Sequence, residues 1–588
     1  MKPVPMPFCF LIVLFLVGLN GSVQPIFAQS NPPQPSEYRK SGSPILSGAL
    51  NTLLESHPSL LSNTSDGLGL QMENGRVLVT AQLEDVSAAS VLIAQLSNFS
   101  AQESAHFDRW VDIWVAPADL PNLAKVAGVQ NIKRAVPVYS LAQQTPAPNT
   151  PAALQKALTV GVYQSQGVSA SNATAWHSAN ILGSGVNIAV LDSFQNYTGA
   201  ITAGELPSTL SFYPNLASLD LSNPHGTAVA EIIHDMAPGA HLTFSSTVGT
   251  CVDMADRLVQ LAMAGNQIIS SSVGYMQCGA GDGDTANDPV ALAAQTVRNT
   301  YNTLFFQAAG NHAKRHWVGT MTDADNDFLM EFAPGVEILS LGYLSNGYPI
   351  DAYLRWNAWP VTNQDYDLVV YKWNTLSSSW QVFENLGSFQ TGTQPPIEDG
   401  FTYSNGGIFG IGIYRYSATN TNFVFDLINF YSNFDTPVES RSLVGPATNA
   451  NTVAVAALDS VAPYTRESYS STGPTLGSGG NLGVGLNQPV IAGYANVDTW
   501  AYGAGVFNGT SAATPHVAGA AALVWSQYRC VSANTVKTNV LNLLTSRAVD
   551  MGTAGYDFQH GYGRLYLGAP ISLTHNCTHF IYLPILLR

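Results

Sequence analysis

The chain has 588 residues, a formal net charge of −16 and only 11% charged residues. A single hydrophobic core rarely extends beyond about 250 to 300 residues, so the length predicts two to four domains rather than one small module. The negative charge argues against a nucleic-acid partner. A low share of charged residues beside many polar and aromatic ones is more typical of an extracellular protein than of a cytosolic one.

Residues 1–28 have the features of a signal peptide. Lys2 precedes an apolar run from Phe8 to Leu19, and a small-residue cleavage site is present near Ala28. An uncleaved membrane anchor is the alternative, although the run is short for a span of about 20 residues. The sequence therefore predicts a secreted protein, extracellular or attached to the cell surface, with no membrane span after signal removal. A polar segment, residues 29–74, follows.

Residues 75–140 have the pattern of a small α+β unit. Strands and helices alternate, with strands predicted over 75–83, 107–116 and 129–139 and helices over 86–99 and 117–128. Residues 141–158 contain the proline-rich stretch QQTPAPNTPA and are predicted to be a linker.

The segments 159–314 and 441–570 have an α/β pattern. Short apolar runs alternate with helical stretches, which is typical of a buried parallel sheet. Four of these runs are Val186–Asp192, His241–Ser246, Asn266–Gly274 and Asn302–Asn311. Between the two segments, residues 315–440 consist of aromatic-rich alternating runs, which predict an inserted all-β sandwich. The predicted fold class is therefore α/β, a parallel-sheet domain with an inserted sandwich and a small α+β unit. Residues 571–588 form a short apolar tail.

Four cysteines remain after signal removal: Cys251, Cys278, Cys530 and Cys577. Three disulfide pairings are possible, and proximity in sequence favours Cys251 with Cys278 and Cys530 with Cys577. No Cys-x-x-Cys or Cys/His cluster indicates zinc.

Ser511 lies in the stretch GTSAATPHVAG, where a tight turn leads into an alanine-rich helix. It is either a helix cap or a nucleophile, and a nucleophile needs a base. His225 opens a small-residue helix in the context HGT, and Asp192 closes an apolar strand. Asn311 follows another strand, where its amide is able to donate to an oxyanion.

The order Asp192, His225, Asn311, Ser511 and the motifs HGT and GTSAATPHVAG resemble the subtilisin-like (S8) serine peptidases over Gly183–Asn311 and Ser440–Tyr566. The resemblance implies a subtilisin-like fold in which Ser511 is the nucleophile, His225 the general base and Asp192 the carboxylate that orients it. Asn311 and the backbone N–H of Ser511 would form the oxyanion hole.

The same resemblance implies substrate-binding residues and an inhibitor. Residues Ser272, Val273 and Gly274 would form one wall of the specificity pocket and Ala308, Ala309 and Gly310 the other. Small side chains on both walls suggest an apolar or aromatic preference. The unit at 75–140 resembles the inhibitor prodomains of the family, so the expected partners are peptide substrates and the chain's own prodomain.

Three other readings compete with this one. The context AEIIHDMAPGA is similar to that of the sedolisins, acid peptidases in which Glu231 and Asp235 would be the catalytic carboxylates. A non-catalytic surface binding protein on a peptidase scaffold is a second alternative. An α/β-hydrolase esterase would have the order Ser, Asp, His, which differs from the order here. No cofactor is required, although the acidic stretches Asp323–Asp327 and Gly281–Asp288 are suited to structural calcium.

Overall fold

The computed structural model of the protein describes residues 40–55, 67–141, 163–246, 249–276, 278–528 and 531–571. Its first part, the N-terminal module (residues 40–55 and 67–141), contains an antiparallel sheet whose central strand β2 pairs with β1, β4 and β5, while β3 pairs with β4. The module comprises α1 (Gly48–Glu55), β1 (Met72–Glu73), β2 (Arg76–Leu83), α2 (Val86–Gln95), β3 (Ala101–Phe107), β4 (Trp110–Val115), α3 (Leu120–Leu123), β5 (Val129–Arg134) and β6 (Tyr139–Ser140).

The module differs from its prediction in two places. The strand expected over 107–116 is present as β4 but begins only at Trp110, because the chain turns at Asp108, whose φ is 53°, and the strand β3, which was not predicted, forms a hairpin with it. Polar, half-exposed β3 lacks the apolar alternation by which strands are recognised. The module also begins before residue 75, since Leu46 and Leu50 are buried in the same core as Val79.

The first half of the central domain follows the module. It comprises α4 (Gln166–Ala170), α5 (Ala173–Ser178), β7 (Asn187–Leu191), α6 (Tyr197–Ala203), β8 (Ser211–Tyr213), α7 (His225–Met236), β9 (His241–Ser245), α8 (Cys251–Met263), β10 (Ile268–Ser271), β11 (Val273–Gly274), α9 (Pro289–Asn299) and β12 (Leu304–Ala308). Each predicted apolar run contains at least one of these strands, and the run Asn266–Gly274 contains both β10 and β11.

The β insert is a six-stranded antiparallel sheet. Its strands are β13 (His316–Thr320), β14 (Leu339–Trp356), β15 (Tyr366–Asn374), β16 (Ser379–Leu386), β17 (Ile397–Arg415) and β18 (Val424–Asn429), in the order β13–β18–β14–β17–β15–β16. The long strands β14 and β17 pair with each other. The C-terminal part of β14 also pairs with β18, and the C-terminal part of β17 pairs with β15. Side chains from both ends, including Leu354, Ile411 and Phe425, share one apolar core, so the sheet folds over on itself.

The second half of the central domain comprises β19 (Thr452–Asp459), β20 (Ile491–Ala495), β21 (Val497–Thr499), β22 (Gly503–Phe507), α10 (Thr510–Trp525) and α11 (Ala533–Arg547). The two halves together form a seven-stranded parallel sheet in the order β20–β19–β12–β10–β7–β9–β8. Helices α7 and α10 pack on one face, and α8 and α9 on the other. The predicted fold class, an α/β parallel-sheet domain with an inserted all-β region, is confirmed.

The N-terminal module lies against both other parts. Its residues Ala105 and Trp110 share a core with helix α8, and Arg134 forms ion pairs with Asp351 and Asp399 of the β insert. Within the described residues, none of the helices combines the length and the apolarity that crossing a membrane requires.

Cys251 and Cys278 form a disulfide that links the start of α8 to the segment after β11. The second favoured pair, Cys530 with Cys577, lies outside the described residues. The bond between Cys251 and Cys278 closes a loop with a sequence separation of 27.

We expect the double substitution Cys251→Ser and Cys278→Ser to lower the free energy of unfolding by about 2–4 kcal/mol, because an open loop gains entropy in the unfolded chain. Urea unfolding measures this loss, and the native chain in reductant should lose a similar amount. Equal stability of both chains would contradict a structural role for the bond.

Candidate active site

Asp192 and His225 meet at the carboxyl edge of the central sheet. Asp192 directly follows β7, and both of its carboxylate oxygens lie 2.8 Å from Nδ1 of His225, the first residue of α7. Both side chains are almost fully buried. A carboxylate that accepts a hydrogen bond from Nδ1–H fixes the tautomer in which Nε2 carries no hydrogen and is able to accept a proton. Nε2 of His225 has no hydrogen-bond partner among the described residues, so this nitrogen is available.

The glycine of the HGT motif allows this contact. A Cβ atom at Gly226 would lie 2.5 Å from the Cβ of Asp192 and 2.5 Å from the carbonyl oxygen of Ser193. The Gly226 N–H donates a 2.7 Å hydrogen bond to that same carbonyl. Only glycine therefore lets the first turn of α7 start directly against the strand end that carries Asp192.

Ser511 is the second residue of α10 and is fully buried. Its hydroxyl donates to the carbonyl oxygen of Ser272 at 3.3 Å, and the Ser272 hydroxyl donates to the carbonyl of Ser511 at 2.9 Å. Helix α10 packs closely on α7, since a Cβ atom at Gly519 would lie 2.5 Å from the Cβ of Met236. This packing brings the segments of Ser511 and His225 to the same edge of the sheet, where open α/β sheets bind ligands.

Asn311 follows β12 and donates its side-chain amide to the carbonyl oxygen of Leu141. Its own amide oxygen accepts two hydrogen bonds of 3.0 Å from Thr510, one from the backbone N–H and one from the hydroxyl. Thr510 therefore fixes which end of the amide faces Leu141. Sequence reasoning missed this residue, because a threonine before the serine looks like an ordinary helix start.

The C-terminal end of the N-terminal module runs through a cleft between two segments of the central domain. β6 pairs antiparallel with β11, with Ser140 opposite Val273 and Tyr139 opposite Gly274. On the other side, the Val138 N–H donates to the carbonyl of Gly249 at 2.8 Å. The segment 136–141 is thus held as an extended peptide with strand-type hydrogen bonds along its length, the geometry of β-strand addition.

Leu141 is the last described residue of this peptide. Its N–H donates to the Ser272 carbonyl oxygen at 2.9 Å, the same oxygen that accepts the Ser511 hydroxyl. Its side chain is buried in an apolar pocket, close enough to Gly274 that a Cβ atom there would lie 2.9 Å from a Leu141 methyl group. The buried apolar residues that share this pocket are Met276, Ala308, Tyr353, Ile428, Phe430 and Val444.

The six residues expected in the pocket walls have different positions. The bound peptide contacts the backbone of Ser272, Val273 and Gly274. Because Gly274 has no side chain, the Leu141 side chain lies directly against its backbone. Ala308 shares the core of Leu141.

The other half of the second wall differs from the expectation. Ala309 packs instead with Leu443, Ala447 and Ala454, and its carbonyl accepts the Val444 N–H. Gly310, with φ of 109°, donates its N–H to the Thr510 hydroxyl at 3.2 Å. The Ala309 side chain therefore packs outside the core that contains Leu141, because alternate residues of an extended chain face opposite sides, and its place in the pocket wall stays a prediction.

Several pocket residues were not found from the sequence. Tyr353, Ile428 and Phe430 come from the β insert, which the sequence predicts only as an inserted sandwich without assigning pocket residues to it. Their only signal is that of buried strand residues in the alternating runs, which cannot tell which neighbour buries them.

Glu231 and Asp235 lie further along α7 and make other contacts. Glu231 accepts the backbone N–H of Trp500 at 2.6 Å, and Asp235 accepts that of Ser165 at 2.7 Å. Burial raises the pKa of Glu231 well above its usual range and that of Asp235 to about 7. Both carboxyl groups therefore hold backbone segments in place, and Asp192 is the carboxylate that contacts His225.

The acidic stretches considered for calcium are arranged differently from each other. The carboxylates of Asp323, Asp325 and Asp327 lie close together, and Asp323 also forms an ion pair of 2.6 Å with Arg415. In the other stretch, Asp288 caps α9 by accepting the N–H groups of Val290 and Ala291. Calcium at either stretch stays a prediction.

Part of the chain is similar to known proteins. Residues 404–563, which include Ser511, match the model of the Subtilase family. A stretch of 118 residues, 20% of the chain, is 36% identical to subtilisin DY of Bacillus licheniformis, and it spans 37% of that protein, a little over a third of its length.

Two solved structures are also similar. The Clostridium perfringens CspB protease has a TM-score of 0.49 and 16% identity, covering 67% of this chain and 95% of its own. The epidermin leader peptide processing serine protease of Staphylococcus aureus has a TM-score of 0.43 and 13% identity, covering 84% and 99%. The family match is the stronger finding: residues 404–563 are similar to the subtilase family, and the aligned stretch spans a little over a third of subtilisin DY.

Proposed function

We propose that the protein is a secreted serine endopeptidase that hydrolyses peptide bonds through Ser511, His225 and Asp192. The observation that carries the proposal is the position of Leu141. Its carbonyl oxygen accepts the Asn311 amide, and its N–H shares the Ser272 carbonyl with the Ser511 hydroxyl. These contacts support a site in which the carbonyl group of a bound peptide reacts with Ser511.

In the chemistry that we propose, the Ser511 hydroxyl turns from the Ser272 carbonyl oxygen towards the unpartnered Nε2 of His225. Nε2 of His225 takes the proton of Ser511 as Oγ attacks the substrate carbonyl carbon, and it returns that proton to the leaving amine. Asp192 stabilises the imidazolium that forms in between. The Asn311 amide and, we expect, the Ser511 N–H stabilise the negative charge on the carbonyl oxygen. Water then hydrolyses the acyl-enzyme with His225 again as the base.

The first substrate in this proposal is the bond between Leu141 and Ala142. After that bond is cut, the N-terminal module remains in the cleft through β6 and acts as an inhibitor. Its buried ion pairs with the β insert and its packing on α8 hold it there after the covalent link is lost. The apolar pocket around Leu141 supports a preference for peptides with a leucine or similar side chain before the cut bond.

Two alternatives have less support. The sedolisin-type mechanism requires Glu231 and Asp235 as reacting groups, whereas both accept hydrogen bonds from backbone N–H groups. A non-catalytic binding protein would not need a buried Asp192–His225 pair beside an oriented Asn311. Modification of Ser511 decides between catalysis and binding.

The test is labelling with a fluorophosphonate, which reacts only with activated serines. The full chain is incubated to allow processing, labelled, and mapped by mass spectrometry. We expect the label on Ser511, no label in Ser511→Ala, and full labelling in the matched control Ser526→Ala at the other end of α10. A chain freed of residues 1–141 whose Ser511 stays unlabelled would contradict the proposal.

A buried acid at the module interface predicts a pH dependence of stability. The Asp112 carboxylate accepts the Thr80 hydroxyl at 2.6 Å and the Thr250 hydroxyl of the central domain, and burial raises its pKa from 3.8 to about 7. An acid whose pKa is higher in the folded chain than in the unfolded chain stabilises the fold fully below about pH 4, and this contribution is lost as the pH rises to about 7. We expect the free energy of unfolding of the uncut Ser511→Ala chain to fall over this range, and less steeply with Asp112→Asn. Parallel pH profiles for the two chains would remove Asp112 as the cause.

A further inference from the structure

Three carboxylates of the β insert are buried together around Lys40, in a cluster that we call the acidic pocket (Asp365, Asp367 and Glu398). Their oxygens lie within 4.8 Å of one another. The Lys40 ammonium group bonds to Asp365 and to the carbonyl oxygen of Ser388, and it lies 2.6 Å from Oδ1 of Asp367. Lys40 is itself almost fully buried, with 2% of its side chain exposed.

The acidic pocket has more negative charge than Lys40 neutralises. One ammonium group faces three carboxylates, and Oδ2 of Asp367, a fully buried residue, accepts no hydrogen bond from the described residues. A buried carboxylate oxygen without a partner is costly, so the pocket is better suited to a divalent cation than to a lysine.

The chemistry of the donors identifies the cation. All of them are oxygens, from three carboxylates and the Ser388 carbonyl, and such hard ligands are those that Ca²⁺ prefers. Glu398 is held in place by the Ser388 N–H at 2.9 Å and by the Gln390 amide at 2.6 Å, so its orientation does not depend on Lys40. The ammonium group of Lys40 therefore takes the position that a metal ion would take.

Lys40 belongs to the N-terminal module, while the acidic pocket belongs to the β insert. The two become separate chains once the bond after Leu141 is cut. We propose that the acidic pocket is a calcium site of the processed protein and that Lys40 fills it in the precursor. The release of the module rests on the proposed function, whereas the cation site itself can be tested without it.

The test uses the full chain with Ser511→Ala, in which self-cleavage plays no part. Calcium binding is measured by isothermal titration calorimetry in this chain and in the same chain with Lys40→Ala. We expect Lys40→Ala to bind one more Ca²⁺ per chain than its parent, and the further substitution Asp367→Asn to remove that ion. The acidic stretch at Asp323–Asp327 is present in all three chains and cancels in the comparison.

Two outcomes would overturn the site. One is an equal calcium stoichiometry in the parent and in Lys40→Ala chains with the same circular dichroism spectrum. The other is an additional ion that survives Asp367→Asn. A second measurement covers a Lys40→Ala chain that fails to fold: the processed chain should gain thermal stability with Ca²⁺, and its Asp367→Asn variant should not. The absence of that gain also contradicts the proposal.

A separate observation concerns the substrate. The hydroxyl of Tyr139, the third residue before the proposed cut, donates to Asp351 at 3.0 Å and lies 3.2 Å from the Tyr353 hydroxyl. Both of these residues lie on β14 of the insert and are buried. Arg134, which pairs with Asp351 at 3.0 Å, leaves with the module and takes its positive charge away.

We infer that Asp351, beside Tyr353, selects the third residue before the cut bond, favouring side chains that donate hydrogen bonds or are positively charged. This inference rests on the proposed peptidase function. Without Arg134, the Asp351 carboxylate has lost its buried cation, so a lysine or tyrosine of a substrate would restore a partner that a glutamate cannot. The β insert would then contribute to specificity as well as to the leucine pocket.

Peptides with leucine before the cut bond, and lysine, tyrosine or glutamate two residues earlier, provide the test. We expect kcat/KM of the processed chain to be about tenfold or more higher for lysine than for glutamate, and within about threefold in Asp351→Asn. The exposed Asp550→Asn is the matched control and should keep the native ratio. Cleavage with equal kcat/KM contradicts this inference alone, whereas a chain that cuts none of the peptides contradicts the peptidase function as well.

Discussion

Replacing Ser511 with alanine should leave the chain uncut, whereas the native chain should yield a large product that begins at Ala142. The expected effect is large, because loss of the serine nucleophile alone lowers kcat by a factor on the order of 10⁶. The position of the cut follows from the one carbonyl group that Asn311 contacts, that of Leu141. N-terminal sequencing of the product, after expression in a protease-deficient host, measures both the cut and its position.

Two controls separate self-cleavage from cleavage by a contaminant. Ser526→Ala, on the same helix, should process like the native chain. Leu141→Glu should process far more slowly, because the pocket that holds the leucine is lined by apolar side chains such as Met276 and Phe430. Processing of a purified native precursor should be independent of its concentration, since the peptide is already bound in its own cleft. Shortening of Ser511→Ala at the native rate would contradict the prediction.

The parallel sheet, and the edge at which Asp192 and Asn311 lie, could be predicted from the sequence for a physical reason. Strands buried on both faces leave continuous apolar runs, and their carboxyl ends mark the edge where polar side chains such as Asp192 and Asn311 converge. The glycine of HGT is equally informative, because a close approach such as that of Gly226 to Asp192 tolerates no side chain. These features are local, and each leaves its mark within a few residues.

The contacts between the three parts of the chain could not be predicted. Lys40 and Asp367 lie more than 300 residues apart in sequence, and neither has a neighbour that indicates a buried ion pair. Leu141 was assigned to a linker because a proline-rich stretch follows it, yet its side chain is buried in the cleft. The pairing of β6 with β11 uses backbone groups that nearly every residue has, so no pattern of side chains predicts it.

The role of Thr510 shows the same limit within the site. Its two hydrogen bonds to the Asn311 oxygen decide which end of the amide faces the substrate, a choice that a single residue identity cannot reveal. The residue is nevertheless adjacent to Ser511, so we expect any change of the Gly-Thr-Ser turn to act on the proposed oxyanion donor as well as on the proposed nucleophile. This coupling makes Asn311 the second most informative residue to change.

Replacing Asn311 with alanine should lower kcat for peptide hydrolysis by about 10² to 10³ and leave KM within a few-fold of the native value, because an oxyanion donor acts mainly in the transition state. Steady-state kinetics of the processed chain on a peptide with leucine before the cut bond measure both constants. The substitution also leaves two Thr510 donors without their acceptor, so a stability loss of about 1–3 kcal/mol is expected alongside the kinetic effect.

Thr510→Val separates the two effects: it removes one hydrogen bond to the Asn311 oxygen but keeps the amide, so kcat should fall by about tenfold at most. An increase in KM with unchanged kcat in Asn311→Ala would mean that the amide only binds the ground-state carbonyl, and an equal loss of kcat in both variants would assign the effect to the Gly-Thr-Ser turn rather than to the Asn311 donor.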